Sequence, residues 1–330
     1  MPWNGLADAR ALPLIIDSKQ LGTDDLAATG SEERDRIRML LTLHGAILFR
    51  DFPLRTPEQF RAAFASIVGT PSAYIERSSA RQGVLEGVYT STEYPADREI
   101  LLHTEQSYNN QFPRYIAFFC QQPARVGGET PLADTRRVLA HIPEELRERL
   151  HRSGYRYVRN YGGRLRMTWQ HAFGTEDADS LEAYCRESDV DVEWLGPRGG
   201  QSLRTTQTRR VIARHPISNE LCWFNHLAFF HISSLDPDIR KLLMDVCGPD
   251  RLPHATLLGD GTPLSDECAA QLRSAYRHEQ KIFGWQQGDL LLVDNMLVAH
   301  GRRPFAGDRA VLVAMGSHCH WSAVSVPPQA

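Results

Sequence analysis

Hydrophobic and polar positions along the chain follow two different rhythms. Short apolar, aromatic-rich runs, "HGAILFRDF" (His44 to Phe52) and "RYIAFFCQQ" (Arg114 to Gln122), are bounded by polar residues and predict strands. "DLLLVDNMLVAH" (Asp289 to His300) and "AVLVAMG" (Ala310 to Gly316) predict two more, around the turn "RRPFAGD". Between these ends the spacing becomes helical. In "TPEQFRAAFASIV" (Thr56 to Val68), Thr56 can cap, Pro57 suits the first turn, and apolar residues then recur on one face. The same pattern predicts helices over Ile142–Gly154, Asp179–Ser188, Asp236–Gly248 and Leu264–Glu279. No repeat, low-complexity tract or linker interrupts it, so residues 1–330 read as one domain, mainly β with helical decoration.

Composition narrows the function classes. With 42% apolar and 23% charged residues and a formal net charge of −3, the chain has no bulk charge suited to nucleic acid or a membrane surface. A small-molecule partner is expected. The start, "MPWNGLADARALPLIID", has no basic region followed by an apolar run, and nowhere do about 18 uncharged apolar residues occur together, so a cytoplasmic protein is expected. The six cysteines show no CxxC pair and read as reduced thiols.

The stretch "LLHTEQSY" (Leu101 to Tyr108) carries the first candidate chemistry. Read as a strand, it puts His103 and Glu105 on one face and Thr104 on the other. Neighbouring metal ligands have this spacing, and so does an exposed pair on a sheet edge; HxE alone does not decide between them. His300 is the candidate third ligand, closing a predicted strand just before an arginine- and glycine-rich turn. Two histidines and a carboxylate form the facial set of non-heme Fe(II) oxygenases, which leaves positions open for oxygen chemistry. Across a hairpin "GRRPFAGD", Arg309 can return to the same face and grip a carboxylate such as that of a 2-oxo acid; the alternative is a solvated turn residue. His318 and His320 make another same-face pair without a visible third ligand, and His215, His226 and His231 read as buried hydrogen-bonding or surface residues. "GGETP" (Gly127 to Pro131) lacks the lysine and the helix of a phosphate loop.

Taken together, "HTEQSY", "GGETPLAD" (Gly127 to Asp134), "HPISNELCWFNH" (His215 to His226), "WQQGDLLLVDNMLVAHGRRPF" (Trp285 to Phe305) and "GDRAVLVAM" (Gly307 to Met315) carry a family resemblance. The chain resembles the TauD/TfdA-like, clavaminate-synthase-like branch of the Fe(II)/2-oxoglutarate-dependent dioxygenases, and within it the syringomycin-type aspartyl hydroxylases of nonribosomal-peptide biosynthesis. The resemblance implies that His103, Glu105 and His300 bind Fe(II), and that Thr130 and Arg309 hold the distal carboxylate of 2-oxoglutarate. It implies a double-stranded β-helix, or jelly roll, with outer helices and a long helix-containing insert at about 135–215. The implied activity uses dioxygen to hydroxylate an unactivated C–H of an amino acid or related carboxylic acid, free or tethered to a peptidyl carrier protein, in secondary-metabolite biosynthesis. The same cofactor chemistry can be diverted to desaturation, epoxidation or cyclisation. A zinc hydrolase built on the same ligands leaves Arg309 and Thr130 without a role, and a non-catalytic jelly-roll binding protein has no need of an intact triad.

Two departures from the taurine-type pattern bear on substrate. The carboxylate is glutamate, as in clavaminate-synthase-like members, and Val313 stands where taurine-type enzymes carry a second arginine, which argues against a sulfonate. The presence of Glu105, where a halogenase has a small residue, argues against chloride binding. Arg302 (with Arg303), Tyr108, Asn109 and Asn225 are candidate substrate residues, with Tyr89 to Ser91 at the mouth, whereas Trp223, Phe224 and Trp285 read as core.

Overall fold

The long apolar runs become strands covered on both faces, which is why they lack the alternation of a half-exposed sheet. The structure, a computed structural model, describes Trp3, Leu6, residues 11–72, Glu76, and residues 81–92, 94–163 and 165–327; much of the N-terminal stretch read for a leader, residues 1, 2, 4, 5 and 7–10, lies outside these. In chain order the strands begin with β1 (Leu14–Asp17), β2 (Ala46–Arg50), β3 (Gly83–Leu85), β4 (Val88–Thr90), β5 (Ile100–His103), β6 (Gln111–Gln122), β7 (Val126–Gly127), β8 (Leu132–Asp134) and β9 (Tyr155–Tyr161). They continue with β10 (Asp191–Trp194), β11 (Leu203–Arg209), β12 (Ile212–Arg214), β13 (Leu221–Trp223), β14 (His254–Leu258), β15 (Leu290–Asp294), β16 (Val298–Arg302), β17 (Phe305–Ala306) and β18 (Ala310–His320).

A seven-stranded sheet, ordered β1-β2-β15-β6-β18-β4-β3, shares its inner core with the smaller sheet β5-β16-β8, and the fold is a jelly roll. Strict alternation sorts the side chains between two cores. Ala46 and Leu48, Ile116, Phe118 and Cys120, Leu291 and Val293, and Val311 and Val313 point inward. Their neighbours Ile47, Phe49, Tyr115, Ala117, Phe119, Leu290, Leu292 and Leu312 pack outward against Ile37, Leu40, Phe60 and Phe64 of the helices Arg34–His44 and Pro57–Ile67. Each fully buried leucine or phenylalanine contributes on the order of 1.5–3 kcal/mol, so a one-residue slip of register is strongly opposed.

The helix Pro57–Ile67 forms as its sequence predicts, with Thr56 and Gln59 closing a capping box. Helices Glu144–Ser153, Ala178–Glu187, Pro237–Cys247 and Asp266–Glu279 match the other predicted segments, and Gly154 and Gly248 stop two of them at positive φ. The segment 135–215 carries helices and β9 to β12, yet its four-stranded sheet β10-β11-β9-β14 is completed by His254–Leu258, beyond the expected limits of the insert.

Four expectations of local structure are corrected. His44 is the last residue of a helix, Arg34–His44, and the strand starts only at Ala46. The predicted strand Asp289–His300 is two strands in different sheets, because the polar pair Asp294 and Asn295 turns the chain. There the Asp294 carboxylate accepts from the Met296 amide at 3.1 Å, and the Leu297 amide donates to the Asp294 carbonyl at 3.0 Å. The predicted strand Leu101–Tyr108 stops at His103, and Glu105 lies on the turn that follows. Finally, 302–308 is not a simple hairpin turn, since β16 and β18 belong to opposite sheets and β17 pairs with β7 between them.

Candidate metal centre

The crossing from β15 to β16 carries His300 into the small sheet, where it lies directly opposite His103 of β5. Their ring centroids are 4.6 Å apart. Glu105, two residues on, reaches the same point from the turn, so that ligating atoms of His103, Glu105 and His300 all lie within 4.8 Å of one another. The strand-alternation argument for HxE therefore fails, while the grouping it predicted forms by another route.

Each member is held by its own contacts. His103 Nδ1 donates to the Leu101 carbonyl at 2.8 Å, which leaves the Nε2 lone pair for a metal. The Glu105 backbone is clamped by Asn295: the Glu105 amide donates to Asn295 Oδ1 at 2.7 Å, and Asn295 Nδ2 donates to the Glu105 and Pro113 carbonyls at 2.8 Å each. The Glu105 carboxylate accepts from Arg81 Nη2 at 2.6 Å, in an ion pair whose side chains are 5% and 4% exposed. Phe229 packs 4.5 Å from the His103 ring and Phe118 4.9 Å from the His300 ring, centroid to centroid.

Electrostatics prepare this donor set for a cation. Burial pushes both imidazoles below their usual range, His300 well below it, so they are neutral at neutral pH. Burial also acts to raise the Glu105 carboxyl, but the opposing influences, led by the Arg81 guanidinium, hold it below the ordinary value. Neutral imidazoles and an ionised carboxylate are the forms a divalent metal needs. Nδ1 of His300 is buried without a hydrogen-bond partner among the described residues, which fits a donor set that a metal would complete.

Two cavities meet at this point. The larger, about 240 Å³, is lined by Arg81, His226, Phe229, Phe230, Leu235 and His254 among others, together with His103 and Glu105. The smaller is lined by Arg81, Phe118, Thr130, His300, Arg302 and Arg309 among others. Thr130 Oγ1 accepts from Trp285 Nε1 at 3.1 Å, so Trp285 is half-buried beside the site and not simply core. Arg309 Nε donates to the Gly128 carbonyl at 3.0 Å, and burial pushes the guanidinium down to about 10, which still leaves it cationic. No carboxylate among the described residues is paired with it. The two glycines before Thr130 make this approach feasible: Gly128 has φ 75° and a Cβ there would lie 3.0 Å from Arg309 Cδ, while a Cβ on Gly127 would lie 2.2 Å from the Pro304 carbonyl.

Comparison with known proteins decides the family. Residues 9–315 match the profile of the taurine catabolism dioxygenase TauD, TfdA family. The chain belongs to the TauD/TfdA family. It is 41% identical over 276 residues to the dapdiamide synthesis protein DdaC of Enterobacter agglomerans, covering 84% of this chain and 83% of the relative. It is 28% identical over 287 residues to a clavaminate synthase-like protein of Arabidopsis thaliana, covering 84% and 82%. The solved structure of PvcB from Pseudomonas aeruginosa aligns at a TM-score of 0.49 and 16% identity, covering 90% and 83% of the two chains. As a TauD/TfdA member the protein is an oxygenase that uses Fe(II), 2-oxoglutarate and dioxygen.

In this TauD/TfdA chain several predicted substrate residues have other work. Arg302 lies in β16 and its Nη1 and Nη2 donate to the carbonyls of Tyr94, Pro95 and Arg98, so it ties down the 94–98 segment and borders the smaller cavity, not the larger. Tyr108 is wholly buried behind the turn, with its hydroxyl donating to the Glu76 carbonyl, and the Asn109 amide donates to the Glu76 carboxylate at 3.0 Å. Asn225 Nδ2 donates to the Val211 carbonyl. None of these three lines either cavity. Of the expected mouth residues, Ser91 alone reaches a cavity.

Other histidines separate into structural and cavity-lining. His215 sits between Asp294 and Ser218, fully buried, as a hydrogen-bonding core residue. His318, in β18, meets Ser72 Oγ, and His320 caps the helix Trp321–Val324, so each ring is engaged by a structural hydroxyl or cap. His226, expected to be a buried hydrogen-bonding or a surface residue, is buried and its Nδ1 accepts from Ser107 Oγ at 2.6 Å, but its ring also borders the larger cavity. Another close group, His141, His278 and Glu279, lies where the helices Thr135–His141 and Asp266–Glu279 end. Arg137 (2.5 Å) and His141 (2.6 Å) already occupy the Glu279 carboxylate, and the group borders neither cavity.

Proposed function

We propose that the protein hydroxylates an unactivated C–H bond of an amino acid or related carboxylic acid, free or carried by a peptidyl carrier protein, in natural-product biosynthesis. The observation that carries this reading is the meeting of His103, Glu105 and His300 within 4.8 Å at the junction of two cavities. In this reading those three residues hold Fe(II), and Arg309 with Thr130 receives the distal carboxylate of 2-oxoglutarate. A half-buried cationic arginine facing a cavity, with no carboxylate partner among the described residues, supports that role, because a desolvated charge without a counter-ion calls for an anion. The similarity to a protein named for dapdiamide synthesis supports the biosynthetic setting.

When bound, iron with 2-oxoglutarate and dioxygen supplies the oxidising power, releasing succinate and carbon dioxide. The chain supplies geometry. Arg309 and Thr130 would orient the cosubstrate in the smaller cavity, and the larger cavity would leave a separate place for substrate beside the same donor set. Phe229, Phe230 and Leu235 give the larger cavity an apolar wall that excludes water around a bound substrate.

The test is anaerobic titration of metal-free protein with Fe(II) and 2-oxoglutarate, following the visible charge-transfer band of the chelate. The wild type should show the band and Glu105→Ala should lose or clearly alter it. A folded, metal-loaded wild type without the band sinks the reading.

A further inference from the structure

We infer that Arg81 is a positioning residue for the metal-binding carboxylate: by holding one oxygen of Glu105 it makes the glutamate a one-oxygen ligand and keeps a coordination position open. The inference rests on the proposed iron site and extends it to a residue in neither of the motifs that supply the ligands.

A glutamate has one more rotatable bond than an aspartate, and fixing its carboxylate at one point costs more side-chain entropy. It also has the reach to swing both oxygens onto one metal ion. Here both ends of the residue are restrained. Asn295 clamps the backbone amide and carbonyl, and Arg81 holds the carboxylate at 2.6 Å with both partners almost fully buried. Charge-assisted bonds of this kind are among the strongest a protein makes, and this one engages a single carboxylate oxygen, leaving the other to face the metal site. An octahedral metal held by two imidazoles and one carboxylate oxygen has three positions left, which a bidentate 2-oxo acid and dioxygen together fill. A carboxylate bound through both oxygens would take one of the three.

Arg81 is also placed to matter to both cosubstrate and substrate, because it borders both cavities. The partition between them therefore contains the side chain that orients the ligand. Replacing it should disturb the metal complex before any substrate is added, so the test needs no knowledge of the substrate.

The experiment compares wild type, Arg81→Met and Arg81→Gln in anaerobic titrations with Fe(II), then with 2-oxoglutarate. Arg81→Met should weaken Fe(II) binding by about 10- to 100-fold, the range typical when a partner of a metal ligand is lost. Its 2-oxoglutarate band should shift or fade, and Arg81→Gln, which keeps a donor, should lie between. Arg81→Met, folded by circular dichroism and matching the wild-type Kd and band, overturns the inference while leaving the iron site intact, and so does Arg81→Gln faring worse than Arg81→Met. A wild type with no band strikes the proposed function instead. A crystal structure of the wild type with Mn(II) and 2-oxoglutarate decides the point without any variant: one Glu105 oxygen on the metal and the other on Arg81 is the expected result, and both oxygens on the metal is the refuting one.

Discussion

Asn295→Ala tests the claim that a residue touching neither metal nor substrate sets the site. The Asn295 side chain is fully buried and makes three hydrogen bonds, to the Glu105 amide (2.7 Å) and to the Glu105 and Pro113 carbonyls (2.8 Å each). Alanine removes all three and strands three backbone groups away from water. At about 1 kcal/mol for each, the low end for an unsatisfied buried group, the loss is about 3 kcal/mol. For a large domain, at about 2 °C per kcal/mol, this lowers Tm by about 6 °C. The turn bearing Glu105 also loses its tie to the β15–β16 crossing, so Fe(II) affinity should fall by about 10- to 100-fold, as for other partners that orient a metal ligand. Differential scanning calorimetry and anaerobic Fe(II) titration read the two effects. A variant with wild-type Tm and wild-type Fe(II) Kd refutes the reasoning, and a lower Tm with unchanged Kd refutes the link from Asn295 to the metal.

Two further outcomes follow from the same structure. Arg309→Ala removes the half-buried cation proposed to meet 2-oxoglutarate; a charged hydrogen-bonding pair is worth about 1.5–3 kcal/mol, so the KM for 2-oxoglutarate should rise on the order of 10- to 100-fold, while Fe(II) binding without cosubstrate stays unchanged. Asp294 controls acid stability: burial acts to raise its carboxyl, but His215 and Arg114 hold it below the usual range. A depressed folded pKa means stability present above the unfolded value of about 3.9 and lost as pH falls through the folded value. Wild-type Tm should therefore drop steeply with acid below about pH 4. Asp294→Asn should start some 3–5 kcal/mol less stable at pH 7, with Arg114 deprived of its anion, and show a shallower acid slope; equal slopes would count against the assignment.

The larger architecture was legible because it depends on local pattern. Apolar runs such as "AILF" and "LLLV" are too dense to belong to a half-exposed sheet, and helix caps such as Thr56 declare themselves within four residues. The grouping of His103, Glu105 and His300 was legible too, although the reason first offered for the HxE pair was wrong. Glu105 comes off a turn, and what aligns it with His103 is not alternation along a strand but two bonds from elsewhere in the chain, to Asn295 190 residues away and to Arg81 24 residues away. These two residues differ in what the sequence offered. Asn295 follows Asp294 in the middle of an otherwise apolar run, and a polar pair buried on both faces must be bonded to something. That signal marks both the break in the strand and the support of the site. Arg81 sits in "SSARQG", among polar residues where an arginine is expected to be solvated, and nothing local sets it apart. Two of the substrate candidates lie away from the cavities for a related reason: proximity in sequence to a metal ligand is not proximity to its open face. Tyr108 and Asn109 are three and four residues past Glu105, yet the turn that presents the carboxylate to the metal directs them backward to Glu76. The larger cavity is walled instead by Phe229, Phe230 and His254, whose apolar and aromatic character reads as core in sequence because a water-excluding cavity and a core ask for the same side chains.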